Sequence, residues 1–276
     1  MKISIITAIH NGLALNKIFV ESIEKYTQNE YELIIIDNVS TDGSAAFFKS
    51  KGAIVIQNTE NYSYPHCQNQ GIRVATGDYL FFLNNDLFLS PAWDKKLIAI
   101  ANLHQLDLIS ASGIENMGTK LKNQLIGRQW KRVKNPLSLF GFSETNLRLM
   151  LWLMYGSWEK YCNRLAEKYN TTVIEGIVGD NVMMTRRALD IVGYWDERIQ
   201  QADWDIFMRV KKRHVEVGDI KPIHVALGVY IHHFGRMTLK YGKKTPIPFY
   251  DKDNLVLLGH KWTAQEIKAY DLNPKQ

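Results

Sequence analysis

The first 112 residues predict an α/β fold with a mostly parallel sheet and helices on both of its faces. Short apolar strands alternate with helical patterns along this stretch, which is the order that produces βαβ units. The run Leu80–Leu83 is apolar without a break, as expected of a strand buried on both faces of a parallel sheet. Right-handed crossovers bring the carboxyl ends of such strands to one edge, where open α/β sheets bind ligands.

Each predicted element rests on its local pattern. Apolar or β-branched runs predict strands, and apolar residues three and four positions apart predict helices. The predicted strands are Ile3–Ala8, Leu33–Ile36, Ala53–Gln57, Tyr79–Leu83, Leu106–Ser110, Asn181–Thr185 and Val225–His233. The predicted helices are Leu13–Tyr26, Ala45–Ser50, Pro65–Ala75, Trp93–His104, Arg186–Val192 and Trp204–Lys212.

The composition is that of an ordinary soluble globular protein, with 276 residues, 46% of them hydrophobic and 22% charged. The two cysteines, Cys67 and Cys162, form neither a disulfide framework nor a zinc pattern, which favours a reducing compartment and a cytoplasmic location. The amino-terminal sequence lacks the features of a signal peptide. No apolar run approaches the roughly 20 residues that span a bilayer.

The positive charge is concentrated in residues 119–172. This segment has ten Lys or Arg against three acids, so it carries +7 and the rest of the +6 chain carries −1. An anionic partner, such as the inner face of a membrane that the protein contacts peripherally, and a merely solvated basic face both explain this charge. The segment contains an apolar run, Leu147–Trp158, which predicts a buried or an interfacial helix.

Polar side chains follow the predicted strands at their carboxyl ends. Asn84, Asn85 and Asp86 come directly after Leu80–Leu83, and a carboxylate flanked by neutral oxygen donors can hold a hard divalent cation. A plain turn is the alternative, because Asn and Asp favour turns. Asp37 also ends a strand, where it can accept a hydrogen bond from a nucleobase or cap the following turn.

Three further positions carry candidate chemistry. Arg73 can bind a diphosphate or be an ordinary exposed arginine. Asp203 and Asp205 lie in the first turn of a predicted helix, where each is a candidate base or a partner of the helix dipole. His232 and His233 end a strand and point to opposite faces, so one of them can contact a metal or a phosphate.

Six motifs in order form a pattern over about residues 1–238. They are ITAIHNG, DNVSTDGS, the run from Asn61 to Tyr79, the triplet Asn84-Asn85-Asp86, RRALDIVGYWDERIQQADWD, and His233-Phe234-Gly235. Together they resemble the family 2 glycosyltransferases, which have the Rossmann-like GT-A fold. The resemblance implies a nucleotide-sugar-binding half at 1–112, an acceptor-binding half at 113–240 that includes the basic segment, and a C-terminal helical tail at 241–276.

The resemblance also implies the activity and the roles of the site residues. The protein is expected to move a sugar from a UDP-, dTDP- or GDP-linked donor to a saccharide or lipid-linked acceptor in polysaccharide biosynthesis, with inversion and with Mn²⁺ or Mg²⁺. Asp86 and His233 are the implied metal ligands, and Asp203 is the implied general base. The implied donor-binding residues are Thr7, Ala8, His10, Asn11, Asp37, Asn69, Arg73, Asn84 and Asn85.

The sequence departs from the family pattern at two positions. Asn84 replaces the first aspartate of the metal triplet, which leaves open a weakened metal site, and Ala202 replaces a glutamate beside the implied base. The alternatives are an inactive nucleotide-sugar-binding module and a nucleotidyltransferase. The latter would need a glycine-rich basic loop after the first strand, and this chain has one Gly and a distant Lys there. Nothing outside the basic segment suggests a nucleic-acid partner.

Overall fold

The computed structural model describes residues 1–235 and 248–270. Its strands are β1 Lys2–Ile9, β2 Glu30–Asn38, β3 Ile54–Asn58, β4 Tyr79–Leu83, β5 Leu87–Phe88, β6 Leu108–Ser112, β7 Val173–Glu175, β8 Asn181–Thr185, β9 His224–Tyr230 and β10 His232–His233. Its helices are α1 Leu13–Tyr26, α2 Ser44–Ser50, α3 Tyr64–Val74, α4 Trp93–His104, α5 Lys120–Leu137, α6 Glu144–Tyr155, α7 Trp158–Tyr169, α8 Arg186–Val192, α9 Ala202–Glu216, α10 Leu258–Lys261 and α11 Ala264–Tyr270.

One eight-stranded sheet, in the order β3-β2-β1-β4-β8-β6-β9-β7, organises the molecule. Strands β1 to β4 are mutually parallel where they pair, and β6 pairs in parallel with β9. Strand β8 is antiparallel to both of its neighbours, β4 and β6, and β7 is antiparallel to β9. The predicted α/β class with a mostly parallel sheet is therefore confirmed. A second, two-stranded antiparallel sheet joins β5 to β10.

Apolar layers cover both faces of the large sheet. Alternate residues of β1 take part in each layer: Ile3 and Ile5 pack with α1, α4 and α5 to α7, whereas Ile6 packs with α3, α8 and α9. Removal of these side chains from water is the main force that holds the helices on the sheet. Gly71 lets α3 pack closely against β1 of the sheet, because a Cβ at this position would lie 2.3 Å from Cγ2 of Ile6.

The basic segment is more regular than its sequence pattern indicated. It folds into α5, α6 and α7, and each helix begins with a side-chain cap, from Thr119, Ser143 and Ser157 respectively. The helix expected over Leu147–Trp158 instead ends at Tyr155, since Gly156 has a left-handed backbone and Ser157 starts the next helix.

The carboxyl-terminal part differs from the expected pattern in one strand. The strand expected over Val225–His233 is split, because β9 ends at Tyr230 and β10 pairs with β5 instead. The predicted tail, 241–276, is described only over 248–270, where it contains α10 and α11. The boundaries of the two predicted halves stay a prediction. Over the described ranges, every helix is too short or too polar to cross a lipid bilayer.

A buried ionic cluster attaches the tail to α9. The carboxylate of Asp205, which is fully buried, accepts a hydrogen bond from the indole of Trp262 at 2.9 Å. It also pairs with Nζ of Lys261 at 2.6 Å and with Nε of Arg209 at 3.0 Å. All three donors converge on a buried carboxylate and connect α9 to the tail, so we infer a structural role for Asp205.

We expect Asp205→Ala to destabilise the protein by about 3–5 kcal/mol, because the cations of Lys261 and Arg209 would lose their buried partner. Calorimetry should show a melting temperature lowered by roughly 10 °C. Asp253→Ala removes an exposed carboxylate from the same tail and should leave the melting temperature unchanged. Equal melting temperatures for both variants would contradict the structural role.

Candidate active site

The loops after β1 and β2 are joined to each other at the carboxyl edge of the sheet. Ile9 pairs with Asp37 in the strand register, so His10 and Asp37 stand at adjacent strand ends. Nδ1 of His10 lies 2.6 Å from the backbone oxygen of Asn38, and Oδ1 of Asn11 accepts from the backbone N–H of Thr41 at 2.8 Å. These contacts give the two loops one fixed arrangement.

The same edge holds the other predicted donor residues of β1 and β2. Asp37 is buried, and its Oδ1 accepts a hydrogen bond from the backbone N–H of Ser40 at 3.0 Å. Thr7 is buried, and its hydroxyl finds no hydrogen-bond partner among the described residues, whereas Ala8 is partly exposed. Val39 has a φ of 63°, which is strained for a β-branched residue and is typical of ligand-binding loops.

The triplet after β4 is held on three sides. The backbone N–H of Asn84 donates to the backbone oxygen of Asp180 at 2.9 Å, and the side-chain amide of Asn85 donates to Oδ1 of Asn16 at 2.6 Å. The backbone oxygen of Asp86 accepts from Phe234 at 2.9 Å. The triplet is therefore a rigid connection between β4 and β5.

His233 lies at the centre of a cluster of carboxylates. Pairing of β10 with β5 brings its Nε2 to 3.1 Å from Oδ1 of Asp86. Its Nδ1 lies 2.8 Å from Oε1 of Glu115 and 3.0 Å from Oδ2 of Asp180. Burial alone lowers the pKa of this imidazole, but the carboxylates of Asp86 and Asp180 raise the pKa of His233 well above its usual value.

Glu115 and Asp180 were not among the residues predicted from the sequence. Asp180 precedes β8, and because β8 runs against its neighbours, its first residue lies at the edge where β4 ends. Glu115 follows the end of β6 by three residues, so the rule that selected Asp37 and Asp86 could have found it.

The donor set of this cluster fits a hard divalent cation. The ligand atoms of Glu115, Asp180 and His233 lie within 4.8 Å of one another, and Asp86 contacts the same imidazole. Carboxylate oxygens suit Mg²⁺ and Mn²⁺, and imidazole suits transition metals. The carboxylates of Glu115, whose side chain is 42% exposed, and of buried Asp180 repel each other at this distance unless a cation or a proton lies between them.

The carboxylate of Asp203 lies beside this cluster. It packs against Gly179, where an added Cβ would meet Oδ2 of Asp203 at 2.2 Å. Partial burial raises the pKa of Asp203, and the nearby charge of Asp180 raises the pKa further. Asp205, two residues along α9, is directed instead at Trp262. Of the two carboxylates in this turn, Asp203 is the one beside the acidic cluster.

Asn69 and Arg73 are directed at the segment 195–197. The amide of Asn69 donates to the backbone oxygen of Trp195 and to Glu197, both at 2.9 Å, and accepts from the N–H of Trp195. Nη2 of Arg73 lies 3.4 Å from Glu197. A donor-binding role for these two residues stays a prediction.

We expect Gly179→Ala to lower turnover by about 100-fold, because the new methyl group must displace Asp203, the predicted base, and misplacing a reacting group by about 1 Å can cost that much. The dissociation constant of the nucleotide donor should not change. Steady-state kinetics and calorimetric titration measure the two effects. Gly127→Ala, at a position where a Cβ meets nothing within 4 Å, is the matched control.

The polar residues of the site meet at the carboxyl edge of a mostly parallel sheet, and the family model together with the fold defines the class of protein as a glycosyltransferase with the GT-A fold. The family model "Glycosyl transferase family 2" matches residues 4–192, more than half of the chain. The protein belongs to this family, as its motifs predicted.

Curated relatives are similar to this chain over part of their length. The uncharacterized glycosyltransferase YwdF of Bacillus subtilis is 24% identical over 218 residues, which cover 77% of this chain and 69% of YwdF. The poly(ribitol-phosphate) beta-glucosyltransferase of Bacillus spizizenii is 31% identical over 97 residues, which cover 32% of this chain and 15% of that enzyme. The chain thus spans less than a sixth of the second relative's length.

Solved structures share the fold. The mannosyltransferase PcManGT of Pyrobaculum calidifontis, in complex with GDP-Man and Mn²⁺, has a TM-score of 0.54 and 11% identity, over 89% of this chain and 65% of that chain. S. aureus TarS 1–349, in complex with UDP-GlcNAc, has a TM-score of 0.54 and 16% identity, over 99% of this chain and 68% of that chain. At these identities the likeness shows the fold alone.

Proposed function

We propose that this protein transfers a sugar from a nucleoside-diphosphate donor to a hydroxyl of a saccharide or lipid-linked acceptor, with inversion. The observation that carries the proposal is the contact between Asp86 and His233, at 3.1 Å, with Asp203 beside the same cluster. The family match favours this activity over the nucleotidyltransferase alternative.

Metal dependence is the first part of the proposal. Asp86 and His233 would hold Mn²⁺ or Mg²⁺, and Asp180 and Glu115 would extend the ligand set. A bound divalent ion neutralises the charge that develops on a departing diphosphate. The complex of PcManGT with Mn²⁺ supports this part. Because Asn84 brings no charge to the triplet, Asp180 and Glu115 compensate for the missing carboxylate.

Donor recognition is the second part. Asp37 would accept a hydrogen bond from the nucleobase, and the loops after β1 and β4 would surround the ribose and the diphosphate. The residues proposed to contact the donor are Thr7, Ala8, His10, Asn11, Asp37, Asn69, Arg73, Asn84 and Asn85. Arg73, whose side chain is 55% exposed, would exchange Glu197 for a phosphate oxygen. GDP-Man and UDP-GlcNAc in related folds support a UDP-, dTDP- or GDP-linked donor.

The transfer step is the third part. The acceptor hydroxyl oxygen attacks the anomeric carbon while the bond from that carbon to the diphosphate oxygen breaks. Asp203 takes the proton of the hydroxyl, and the nucleoside diphosphate leaves with the bonding electrons. The raised pKa of Asp203 makes it a stronger base than an ordinary aspartate. A single displacement inverts the configuration at the anomeric carbon.

The two halves of the chain would divide this work. Residues 1–112 would bind the donor and residues 113–240 the acceptor, in the biosynthesis of a polysaccharide at the cytoplasmic side of the membrane. The two cysteines are buried and unpaired, which is consistent with a reducing compartment.

A screen of nucleotide sugars tests the proposed function. One of the screened nucleotide sugars should release its nucleoside diphosphate, and this release should depend on Mn²⁺ or Mg²⁺. EDTA should stop it. Donor binding without release, in the presence of a broad set of saccharide acceptors, would favour an inactive nucleotide-sugar-binding module. Release that EDTA leaves unchanged would contradict metal dependence.

A further inference from the structure

The helical hairpin formed by α5, the turn Ser138–Phe140 and α6 has an exposed surface that is both apolar and basic. Gln129 of α5 donates to the backbone oxygen of Met154 at 3.1 Å, and Asn146 of α6 donates to that of Leu137 at 2.8 Å, so the helices lie side by side. We define the hairpin surface by its exposed residues Leu121, Leu125, Arg128, Lys131, Arg132, Leu139, Phe140, Leu149, Trp152 and Leu153.

The apolar part of the hairpin surface is unusual for a helix exposed to water. On α6, Leu147 and Met150 are buried, whereas Trp152 on the other side is 63% exposed. Leu149 and Leu153 are exposed beside it, at the intervals that place residues on one helical face. At the turn, Phe140 is 80% exposed. An apolar helix whose outer face is also apolar indicates a surface that is covered in use.

The charged part of the hairpin surface has one sign. Helix α5 contains six Lys or Arg and no Asp or Glu. The acidic residue at the start of α6, Glu144, pairs with Lys17 of α1 at 2.8 Å. The acidic residue at the start of α7, Glu159, pairs with Lys25 of α1 at 2.9 Å. Both of these carboxylates therefore face α1. Arg128, Lys131 and Arg132 remain exposed next to the apolar residues.

We propose that the hairpin surface docks onto an anionic lipid bilayer. Its Trp and Phe side chains enter the headgroup region, and its Lys and Arg side chains bind the lipid phosphates. A dissolved polyanion such as a nucleic acid would satisfy the cations but would offer no apolar phase to Leu139, Phe140 and Trp152. The combination of both kinds of side chain is complementary to a bilayer surface.

Docking through the hairpin surface would bring the candidate active site close to the bilayer. Trp130 of α5 packs edge to face on His232 at 4.5 Å, next to His233. Nζ of Lys134 donates to the backbone oxygen of Gly235 at 3.2 Å. The hairpin is thus in direct contact with the strand that carries a candidate metal ligand. This position suits a lipid-linked acceptor, a consequence that rests on the proposed function, whereas docking itself does not.

Co-sedimentation with vesicles tests the proposal. The full chain should bind vesicles of phosphatidylcholine mixed with phosphatidylglycerol and should not bind phosphatidylcholine alone. Lys131→Glu with Arg132→Glu should lower the affinity at least 30-fold, since each lost cation is worth roughly fivefold, two together roughly 30-fold, and each new anion is repelled in addition. Lys95→Glu with Lys252→Glu makes the same change of charge at exposed positions outside the hairpin and should bind nearly as the wild type does.

A second pair of variants separates a bilayer from a polyanion. Phe140→Ser with Trp152→Ser should weaken vesicle binding at least tenfold and leave heparin binding unchanged. Absence of wild-type binding to anionic vesicles at low salt would overturn the proposal. Vesicle binding by the Phe140→Ser, Trp152→Ser double variant that equals wild-type binding would overturn it as well. So would equal losses of vesicle affinity in the Lys131/Arg132 and the Lys95/Lys252 double variants.

Discussion

Replacing Asp86 with alanine is expected to abolish metal-dependent binding of the nucleotide donor and to leave the fold intact. The carboxylate is buried 3.1 Å from Nε2 of His233, so it is the acid of the triplet that can hold a cation for the diphosphate. The backbone contact of residue 86 with Phe234 does not need the side chain. Calorimetric titration with nucleoside diphosphate and Mn²⁺ measures the effect.

The matched control for this experiment is Asp78→Ala. Asp78 is an exposed acid that precedes the same strand, β4, at the opposite edge of the sheet. Its loss should leave metal-dependent affinity at the wild-type value. An Asp86→Ala protein that binds the nucleotide with unchanged affinity in Mn²⁺ would rule out the proposed metal ligand.

Replacing Asp203 with asparagine is expected to lower turnover by about 10²–10⁴, which is the usual contribution of a general base. Asparagine has nearly the same shape but cannot take a proton from the acceptor hydroxyl. The donor should bind as before, since Asp203 is proposed to act on the acceptor. Single-turnover kinetics, with the donor affinity measured separately, give both quantities.

Asp205→Asn distinguishes the two carboxylates of this helical turn. Because Asp205 pairs with Lys261 and Arg209, its loss should lower the melting temperature but leave the turnover of the folded protein close to normal. If the Asp203 variant kept full turnover and the folded Asp205 variant lost it, Asp205 would be the base.

Most of the first half of the fold could be predicted because its elements, apart from the two-residue strand β5, have strong local patterns. The strand Tyr79–Leu83 and the helix Leu13–Tyr26 have the bounds expected from the sequence. Two helices of the basic segment, α5 and α7, were missed because their apolar positions are interrupted by Lys and Arg, whereas α6 was expected over Leu147–Trp158. The start signals of all three helices, the caps Thr119, Ser143 and Ser157, were present in the sequence.

The candidate site was predicted less completely, for a topological reason. The sequence placed Asp86 and His233 in one site, and the structure brings them to 3.1 Å. Asp180 was missed because it precedes its strand, β8, whereas the candidates were polar residues that follow a strand, and β8 runs against its neighbours. Strand direction depends on which segments pair across the whole chain, and local patterns contain no information about that.

The contact of Trp130 with His232 joins the surface of the hairpin to the strand of the candidate metal ligand. Two sites connected through one packed element obey thermodynamic reciprocity. If binding of the hairpin surface to a bilayer shifts α5 and thereby raises the affinity for the donor by some factor, binding of the donor must raise the affinity for the bilayer by the same factor. A larger fraction of such a protein would be bound to the bilayer when the donor concentration is high, and a smaller fraction when it is low.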